Sequence, residues 1–404
     1  MSGTVTASPP RYPSAVPARW PGAARRLARA PLPLVLWLEL LSGGALVAAV
    51  RRDATLLVVG FALAGTIVVG LGRRRGVPLY RLATTWWRYR LRRRSAPPPF
   101  GGVASLLPAL HVTSAPLRAE RRFGVCFDGT GWTAVLEIEA AGSMLVPATW
   151  PVTLPVPLLA SLLAIDDIRL SSVQVLVRTV PAPVDQRPTG SPAVRSYRRI
   201  RPVGVAALRQ TWIALRLDAG PAQDAIAARG GGVDGAHRAL KRVTGRALEL
   251  LEAAGIRARA LDELALADVL TVTLLGGVPG QDPDVDPAAR TLERWGCWQT
   301  GDQAQLTWWL AGWPPGQEPV EQLVQLLAAV QPRFGVVSFA LHAAPDGGAR
   351  ARVLVRAEVP LAELPAVADA FESAGRTTGV DLRRLDGEHG PGVAATLPLG
   401  GGAR

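Results

Sequence analysis

The chain has 404 residues and a formal net charge of +13, and this charge is unevenly distributed. Residues 1–94 contain sixteen arginines and only two acidic residues, Glu39 and Asp53, whereas the rest of the chain is close to neutral. Because the basic excess is confined to one end, we predict no nucleic-acid binding, and anionic lipid is the expected counter-charge. The two cysteines, Cys126 and Cys297, form neither a disulfide framework nor a paired metal motif.

Two apolar runs near the start of the chain, Pro33–Val50 and Ala54–Gly72, are long enough to cross a bilayer as helices. Each would reach roughly 27–29 Å at about 1.5 Å per residue. We therefore predict a transmembrane helix hairpin over residues 31–72, after a disordered basic cytoplasmic tail over residues 1–30. Arginines flank the hairpin on both sides, so the positive-inside rule predicts a two-pass plasma-membrane protein with both termini cytoplasmic. A secretory signal is the alternative, but the second run follows almost at once.

Several residues of the predicted spans are candidates for packing between helices in the membrane. A carboxylate within a span costs about 2.5–3.5 kcal/mol on insertion scales, so Glu39 should face a partner helix or water. Alternatively, it lies near the cytoplasmic side, where it is protonated or hydrated. Gly43, Gly44, Gly60 and Ala64 are small and allow close approach of helices, either of the two spans to each other or of a span to a partner.

A basic interfacial arm and a linker are predicted over residues 73–102. Aromatic residues alternate with arginines up to Arg94, and Ser95–Gly102 is rich in proline and glycine. Interfacial helices combine aromatic side chains at head-group depth with arginines on lipid phosphates. The candidate membrane-interface residues are Arg73, Arg74, Arg75, Trp86, Trp87, Arg92, Arg93 and Arg94.

Beyond the linker, one order of predicted elements occurs twice. The first unit, residues 103–275, and the second unit, residues 290–404, are separated by a linker at residues 276–289. Each has a hairpin, a short helix, two strands, a long amphipathic helix and a further strand. The predicted strands are Phe123–Asp128, Gly131–Ala140, Val173–Val180, Thr211–Asp218 and Ile256–Leu261, then Arg294–Thr300, Gln305–Gly312, Phe334–Ala343, Arg352–Val359 and Val380–Leu385.

The long helix of the first unit is predicted from about Asp234 to Ala254, with Asp234 as its cap. That of the second unit should begin near Leu361 and close at Gly375, and a Gly-rich tail ends the chain. The predicted fold class is thus an α+β membrane protein. Its two-helix transmembrane hairpin precedes two similar cytoplasmic α/β units with mainly antiparallel sheets, each with its helices on one face.

Tryptophans are concentrated in the opening hairpin of the second unit. Trp308 and Trp309 are adjacent on a predicted strand, so their side chains point to opposite faces of the sheet. One can fill the core while the other is left for an interface, where tryptophan is enriched. We take Trp308, Trp309 and Trp313 as candidate partner-interface residues, with a sheet buried on both faces as the alternative.

Few residues have the spacing of a catalytic or metal site. Asp282, Asp284 and Asp286 alternate in one loop and could hold a hard cation, as in the metal–nucleotide sites of glycosyltransferases. The prolines between them favour an extended interdomain loop instead. No phosphate loop and no nucleophile elbow occur in the sequence, so we predict no enzymatic activity, no cofactor and no metal. A membrane-tethered glycosyltransferase-like enzyme remains the alternative.

The layout of the chain resembles EccE, a membrane component of the actinobacterial type VII (ESX) secretion system. The resemblance lies in the arginine-flanked hairpin, the arm that ends in Arg92–Arg94, and the strand pair FGVCFDGTGWTAVLEIE at Phe123–Glu139. It implies a non-enzymatic subunit at the periphery of a secretion complex, beside EccB, EccC and EccD. No catalytic residues are implied by it. An actinobacterial membrane scaffold outside secretion is a further alternative.

Overall fold

A computed structural model describes residues 18–19, 73–74, 77–94, 102–118, 121–139, 154–181, 206–277, 280, 291–312, 332–344 and 347–402. Several predicted features lie outside these residues: both transmembrane spans, Arg75, the loop 281–287, Trp313 and the short helix Glu318–Val330. Within the part of the chain that the structure describes, no helix is both long and apolar enough to cross a membrane. The hairpin over residues 31–72 therefore stays a prediction.

The described elements are numbered in chain order. The strands are β1 Ala18–Arg19, β2 Arg73–Arg74, β3 Val77–Pro78, β4 His111–Arg118, β5 Arg121–Phe127, β6 Gly131–Ile138, β7 Ala164–Ile165, β8 Ile168–Arg169, β9 Ser172–Pro181, β10 Ala206–Asp218, β11 Ala258–Ala260, β12 Thr291–Arg294, β13 Cys297–Thr300, β14 Gln303–Gly312, β15 Phe334–Ala343, β16 Ala349–Pro360 and β17 Asp381–Arg384. The α-helices are α1 Leu79–Arg94, α2 Val103–Leu106, α3 Val156–Ser161, α4 Gln223–Ala227, α5 Gly232–Ala253, α6 Glu263–Leu275, α7 Leu364–Thr378 and α8 His389–Ala395.

The chain divides into two compact units, one of residues 22–96 and one of residues 1–21 and 97–404. The smaller unit contains the β2–β3 pair and α1. In the larger unit, ten strands lie side by side in the order β12-β13-β14-β16-β15-β9-β10-β6-β5-β4. Every neighbouring pair in this order is antiparallel. The predicted α+β class with a mainly antiparallel sheet is confirmed for these residues.

The strand order is the same from both edges of the sheet. From one edge it runs β4-β5-β6-β10-β9, and from the other it runs β12-β13-β14-β16-β15. The side strands follow the same rule, because β11 pairs with β6 as β17 pairs with β14. The element order predicted to occur twice thus builds one continuous sheet rather than two. The halves meet where β9 pairs with β15, with Val177 opposite Val337.

Helices cover both faces of this sheet. On one face, called the apolar face here, Val175 and Phe339 pack with Leu240 of α5 and Phe371 of α7. On the opposite face, α6 and α8 pack over residues such as Leu176, Trp212 and Val336. The prediction that each unit has its helices on one face is therefore wrong. Alternate residues of the same strands face two different helical layers.

The elements that were not predicted from the sequence include β4, α6 and α8. Helix α6 begins after Asp262, whose side chain accepts a hydrogen bond from the backbone N–H of Ala265 at 2.8 Å. Helix α5 has nearly the predicted extent, but its N-cap is Gly231, with a φ of 71°, and not Asp234. The short helix α4 lies between β10 and α5, in a segment for which no helix was predicted.

Candidate functional site

Helix α1 displays the aromatic and basic residues of the predicted arm. Trp86, Trp87 and Leu91 are 46%, 59% and 45% exposed, and the helix sequence contains no acidic residue. The guanidinium of Arg90 lies 5.3 Å from the centroid of the Trp86 ring, at the i,i+4 spacing. The same spacing brings Arg93 to 5.8 Å from the ring of Tyr89. Helix α1 thus presents the apolar and cationic groups that suit an anionic interface.

The tryptophans of the second unit do not form one surface. Trp308 is fully buried on the apolar face, and its ring centroid lies 4.4 Å from that of Phe371. Its proposed place at a partner interface is therefore wrong, because it is a core residue. Trp309 is half-buried on the opposite face, and Trp313 lies outside the described residues.

A set of buried polar side chains, called the polar layer here, lies on the face of the sheet that α6 and α8 cover. Its members share this face because the register puts them opposite one another or two residues apart along a strand. They are Thr133, Ser172, Gln174, Arg178, Arg216, Gln305, Thr307, Ser338, Arg356 and Glu358. Buried polar groups cost free energy unless they are hydrogen-bonded. The hydrogen-bond partners of these side chains therefore determine whether the polar layer stabilises the fold.

Arg356 is fully buried and holds the ends of two chain segments. It donates hydrogen bonds to the carbonyl of Thr273 at 2.7 Å and to Oε1 of Gln305 at 2.6 Å. It also donates to the carbonyl of Thr396 at 3.4 Å. Thr273 belongs to the last turn of α6, where free carbonyls carry partial negative charge. The guanidinium therefore compensates the helix end.

Arg178 approaches the same helix end from β9. It donates to the carbonyl of Gly277 at 2.7 Å and to Oε1 of Gln210 at 2.9 Å. The ring of Phe334 contacts both buried arginines, with its centroid 5.1 Å from the guanidinium of Arg178 and 5.5 Å from that of Arg356. Aromatic contact of this kind favours a guanidinium over an ammonium group.

Glu358 is the buried carboxyl of the polar layer. Its Oε2 accepts a hydrogen bond from Nε2 of Gln305 at 2.7 Å. Burial raises the pKa of Glu358 to about 7 and lowers the pKa of Arg356 to about 9. Both shifts have the same cause, which is the loss of water around a charged group.

Arg216 holds a second cluster near the first hairpin turn. It donates to Oδ2 of Asp128 and to Oδ1 of Asp218, each at 2.7 Å, and to the hydroxyl of Thr130. Burial raises the pKa of Asp128, but the hydrogen bond and charge of Arg216 outweigh burial and hold it at about 2. Asp128 also accepts the backbone N–H groups of Thr130 and Gly131, so the turn itself is fixed.

The predicted Gly-rich tail lies in this layer. Gln174 and Ser338 donate to the carbonyl of Ala395, and Arg216 donates to that of Leu399 at 3.1 Å. Gly400 bonds twice, because its N–H donates to Gln174 and its carbonyl accepts from Ser172. Residues 395–401 are all buried. This segment is part of the folded core.

Burial favours the uncharged form of two further titratable side chains, those of His389 and Cys126. His389 is fully buried, burial lowers its pKa, and its Nδ1 accepts the backbone N–H of Thr307 at 3.3 Å. Burial raises the pKa of Cys126 to about 12, which removes its thiolate character. Among the described residues, no group of three or more His, Cys, Asp or Glu side chains could hold a metal ion. The aspartates of the loop 281–287 lie outside these residues.

Sequence reasoning missed the polar layer, although one signal for it was present. Arg178, Arg216 and Arg356 each stand between two apolar residues of a strand, at a position that the period of two assigns to one face. A charged residue at such a position indicates either a solvated face or a buried polar cluster, and only the helices above it decide between them.

The comparison with known families matches a segment in the second half of the chain. Residues 205–310, about a quarter of the chain, match the family model described as "Putative type VII ESX secretion system translocon, EccE". The resemblance to EccE is confirmed. The EccE-like segment extends from β10 into β14 and includes Arg216, Gln305 and Trp308, whereas Phe123–Glu139 lies before it. No curated protein matches the chain.

Proposed function

We propose that the chain is a structural, non-enzymatic subunit of a type VII secretion membrane complex, where it assembles with EccB, EccC and EccD. The observation that carries this proposal is the EccE-like segment at residues 205–310. In that segment, charged side chains such as Arg216 bond to other side chains and to backbone carbonyls. Such groups stabilise a scaffold, which is the role that a structural subunit requires.

Helix α1 supports a position at the membrane surface. Its six arginines and its exposed Trp86 and Trp87 suit anionic lipid head groups, and each basic residue near such a surface contributes about 1 kcal/mol. The proposal includes the two predicted spans before α1, with both termini cytoplasmic. Arg73, Arg74 and Arg92–Arg94 would then lie at the head groups.

Co-purification tests the function. We expect an affinity-tagged full chain, extracted from membranes in mild detergent, to recover EccB, EccC and EccD, as detected by mass spectrometry. Recovery of the chain without these proteins, at equal membrane abundance, would contradict the proposal. It would favour one of the two alternatives, a membrane-tethered enzyme or a scaffold outside secretion.

The predicted spans are tested by the combined substitution Glu39→Leu, Gly43→Leu and Gly44→Leu. All three changes increase hydrophobicity, so insertion should persist, but leucine blocks close helix approach. We expect lower recovery of partners at equal membrane abundance. Val58→Leu with Val59→Leu is the matched control, which adds volume without removing a glycine. Equal recovery from both variants would show that the hairpin only anchors the chain.

The lipid contact is tested with nitroxide labels on the full chain in phosphatidylglycerol vesicles. A label at Leu91→Cys should lie at head-group depth, whereas one at Val233→Cys, which is also exposed, should remain in water. Cys126 and Cys297 are buried and should not react. If a water-soluble relaxation agent reaches the label at position 91 as readily as the label at position 233, the lipid contact is refuted.

The topology is tested by cysteine labelling of intact cells with an impermeant reagent. A cysteine in place of Asp53 should react, because the turn of the hairpin should lie outside the cell. A cysteine in place of Ala96 should not react, and the reverse pattern would overturn the topology.

A further inference from the structure

Two segments above the polar layer, α6 and α8 with the residues that follow it, each begin over strands of their own half and end at strands of the other half. At the start of α6, the backbone N–H of Gly124 in β5 donates to the carbonyl of Leu261 at 2.7 Å. At its end, the carbonyls of Thr273 and Leu274 accept hydrogen bonds from Arg356 and Gln305. These two side chains belong to β16 and β14, which come from the second half.

Helix α8 makes the reciprocal crossing. At its start, the backbone N–H of Gly390 donates to Oε1 of Glu293, in β12 of the second half, at 2.9 Å. After its end, the chain reaches β9 and β10 of the first half, where Ser172 donates to the carbonyl of Gly400 at 2.7 Å. Arg216 donates to the carbonyl of Leu399 in the same region. Each half therefore holds the end of a segment that comes from the other.

Arg356 is the point where both crossing segments meet, because it donates to Thr273 at the end of α6 and to Thr396 after α8. We propose that residues 396–402, called the clasp here, couple the two halves of the sheet so that they unfold as one unit. The bonds that hold the clasp join its backbone to side chains on both sides of the β9–β15 junction. The clasp is independent of the proposed secretion role, since it concerns only contacts within the chain.

The fit of the clasp requires glycine at two positions. A Cβ at Gly400, where φ is 95°, would lie 2.6 Å from Cδ of Arg216 and 2.8 Å from Oγ of Ser172. A Cβ at Gly401, where φ is 73°, would overlap Cβ of Ala340 in β15. Since Cβ of Ala340 is fixed to its backbone, this overlap cannot be relieved by a change of rotamer. The clasp is thus held by shape as well as by hydrogen bonds.

A matched pair of glycine substitutions tests the fit of the clasp in the full chain. Gly347 has a φ of 77°, and a Cβ added there would meet nothing within 4 Å, so Gly347→Ala has backbone strain without a clash. Gly401→Ala has similar strain together with the clash. We expect Gly401→Ala to lower the unfolding temperature clearly more than Gly347→Ala. Equal shifts would overturn the proposal, because they would show that the clasp does not press on β15.

Hydrogen exchange tests the coupling itself. In a chain that ends at Ala395, amides of the β9–β15 junction should exchange roughly tenfold faster or more, and peptides from β10 and from β16 should unfold at different denaturant concentrations. In the parent chain they should unfold together. Should the shortened chain fail to fold, Gly401→Ala is measured in the same way, with the same expectation. Unchanged exchange at the junction and coincident unfolding in the variant would overturn the proposal.

Discussion

The two faces of the sheet are stabilised in different ways, although the same strands build both. On the apolar face, Leu306, Trp308 and Val355 pack against the long helices α5 and α7 in one hydrophobic cluster. On the opposite face, Gln305, Arg356 and Glu358 are equally buried, but hydrogen bonds join their side chains to one another. The difference shows that neighbouring residues of a strand can follow separate rules. Volume governs the apolar face, whereas the opposite face combines apolar packing with the satisfaction of buried polar groups.

The largest effect should come from breaking the polar face at Arg356. In Arg356→Met, the carbonyl of Thr273 loses its donor and Glu358 stays buried beside one cation fewer. We expect a loss of about 3 kcal/mol or more of unfolding free energy, because the three buried oxygens that accept from Arg356 lose their donor, at about 1–3 kcal/mol for each buried polar group left unsatisfied. Denaturant unfolding of the full chain measures this loss.

The control for this change is a double substitution. Arg356→Met with Glu358→Gln also removes the titratable group of Glu358, whose charged form Arg356 stabilises, so it should be less destabilising than the sum of the two single changes. If the double variant is as unstable as the sum of the two single variants, the two charges are not coupled, and the polar layer is a set of independent hydrogen bonds.

Acid should weaken the polar face at Asp128. Its pKa is about 2 in the folded chain and 3.8 is its ordinary value, so its contribution is complete above pH 4 and is lost as the pH falls toward 2. This contribution is roughly 2 kcal/mol, from a shift of nearly two pKa units. Stability measured from pH 6 to pH 2 should therefore fall less steeply in Asp128→Asn.

Asp167 provides the comparison for Asp128. Its pKa is also about 2, mainly because of its hydrogen bond with Arg229, but its side chain is half exposed. Solvent and salt screen such a pair, so Asp167→Asn should change the pH profile much less. A change as large as that of Asp128→Asn would show that burial does not distinguish the two sites.

The smallest effect is expected on the apolar face. Leu306→Met conserves volume, so it should cost less than about 1.5 kcal/mol. Arg356→Lys conserves the charge, as Leu306→Met conserves the volume. It should nevertheless lower the unfolding free energy more, because lysine cannot reach Thr273, Gln305 and Thr396 together. Unfolding of both variants under one set of conditions provides the comparison, and equal losses would contradict the distinction between the faces.

The sequence predicted the apolar face better than the polar one, for a physical reason. Helix α5 has a clear period, so its extent was predicted to within two residues at its start and one at its end. Helix α6 is apolar on nearly all sides and has no such period, while α8 is short and contains two glycines and a proline. Edge strand β4 contains Pro116, which argues against a strand in a sequence pattern.

The candidate site was predicted only in part for a similar reason. The arginines and tryptophans of α1 were identified from composition, and Trp86 and Trp87 are indeed exposed. The sequence did not show which of Trp308 and Trp309 is buried. Alternation along a strand places the two side chains on opposite faces of the sheet, but it does not say which face is covered. The partners of Arg356 come from 40 and 83 residues away along the chain, so no local pattern identifies them.

The most direct test of the proposed role is the mass of the type VII membrane complex in cells with and without this chain, measured by native electrophoresis of detergent extracts. The proposal predicts that the complete complex is lost or smaller when the chain is absent, and that the wild-type chain restores it. A complex of unchanged mass and composition in cells that lack the chain would contradict a structural role in its assembly.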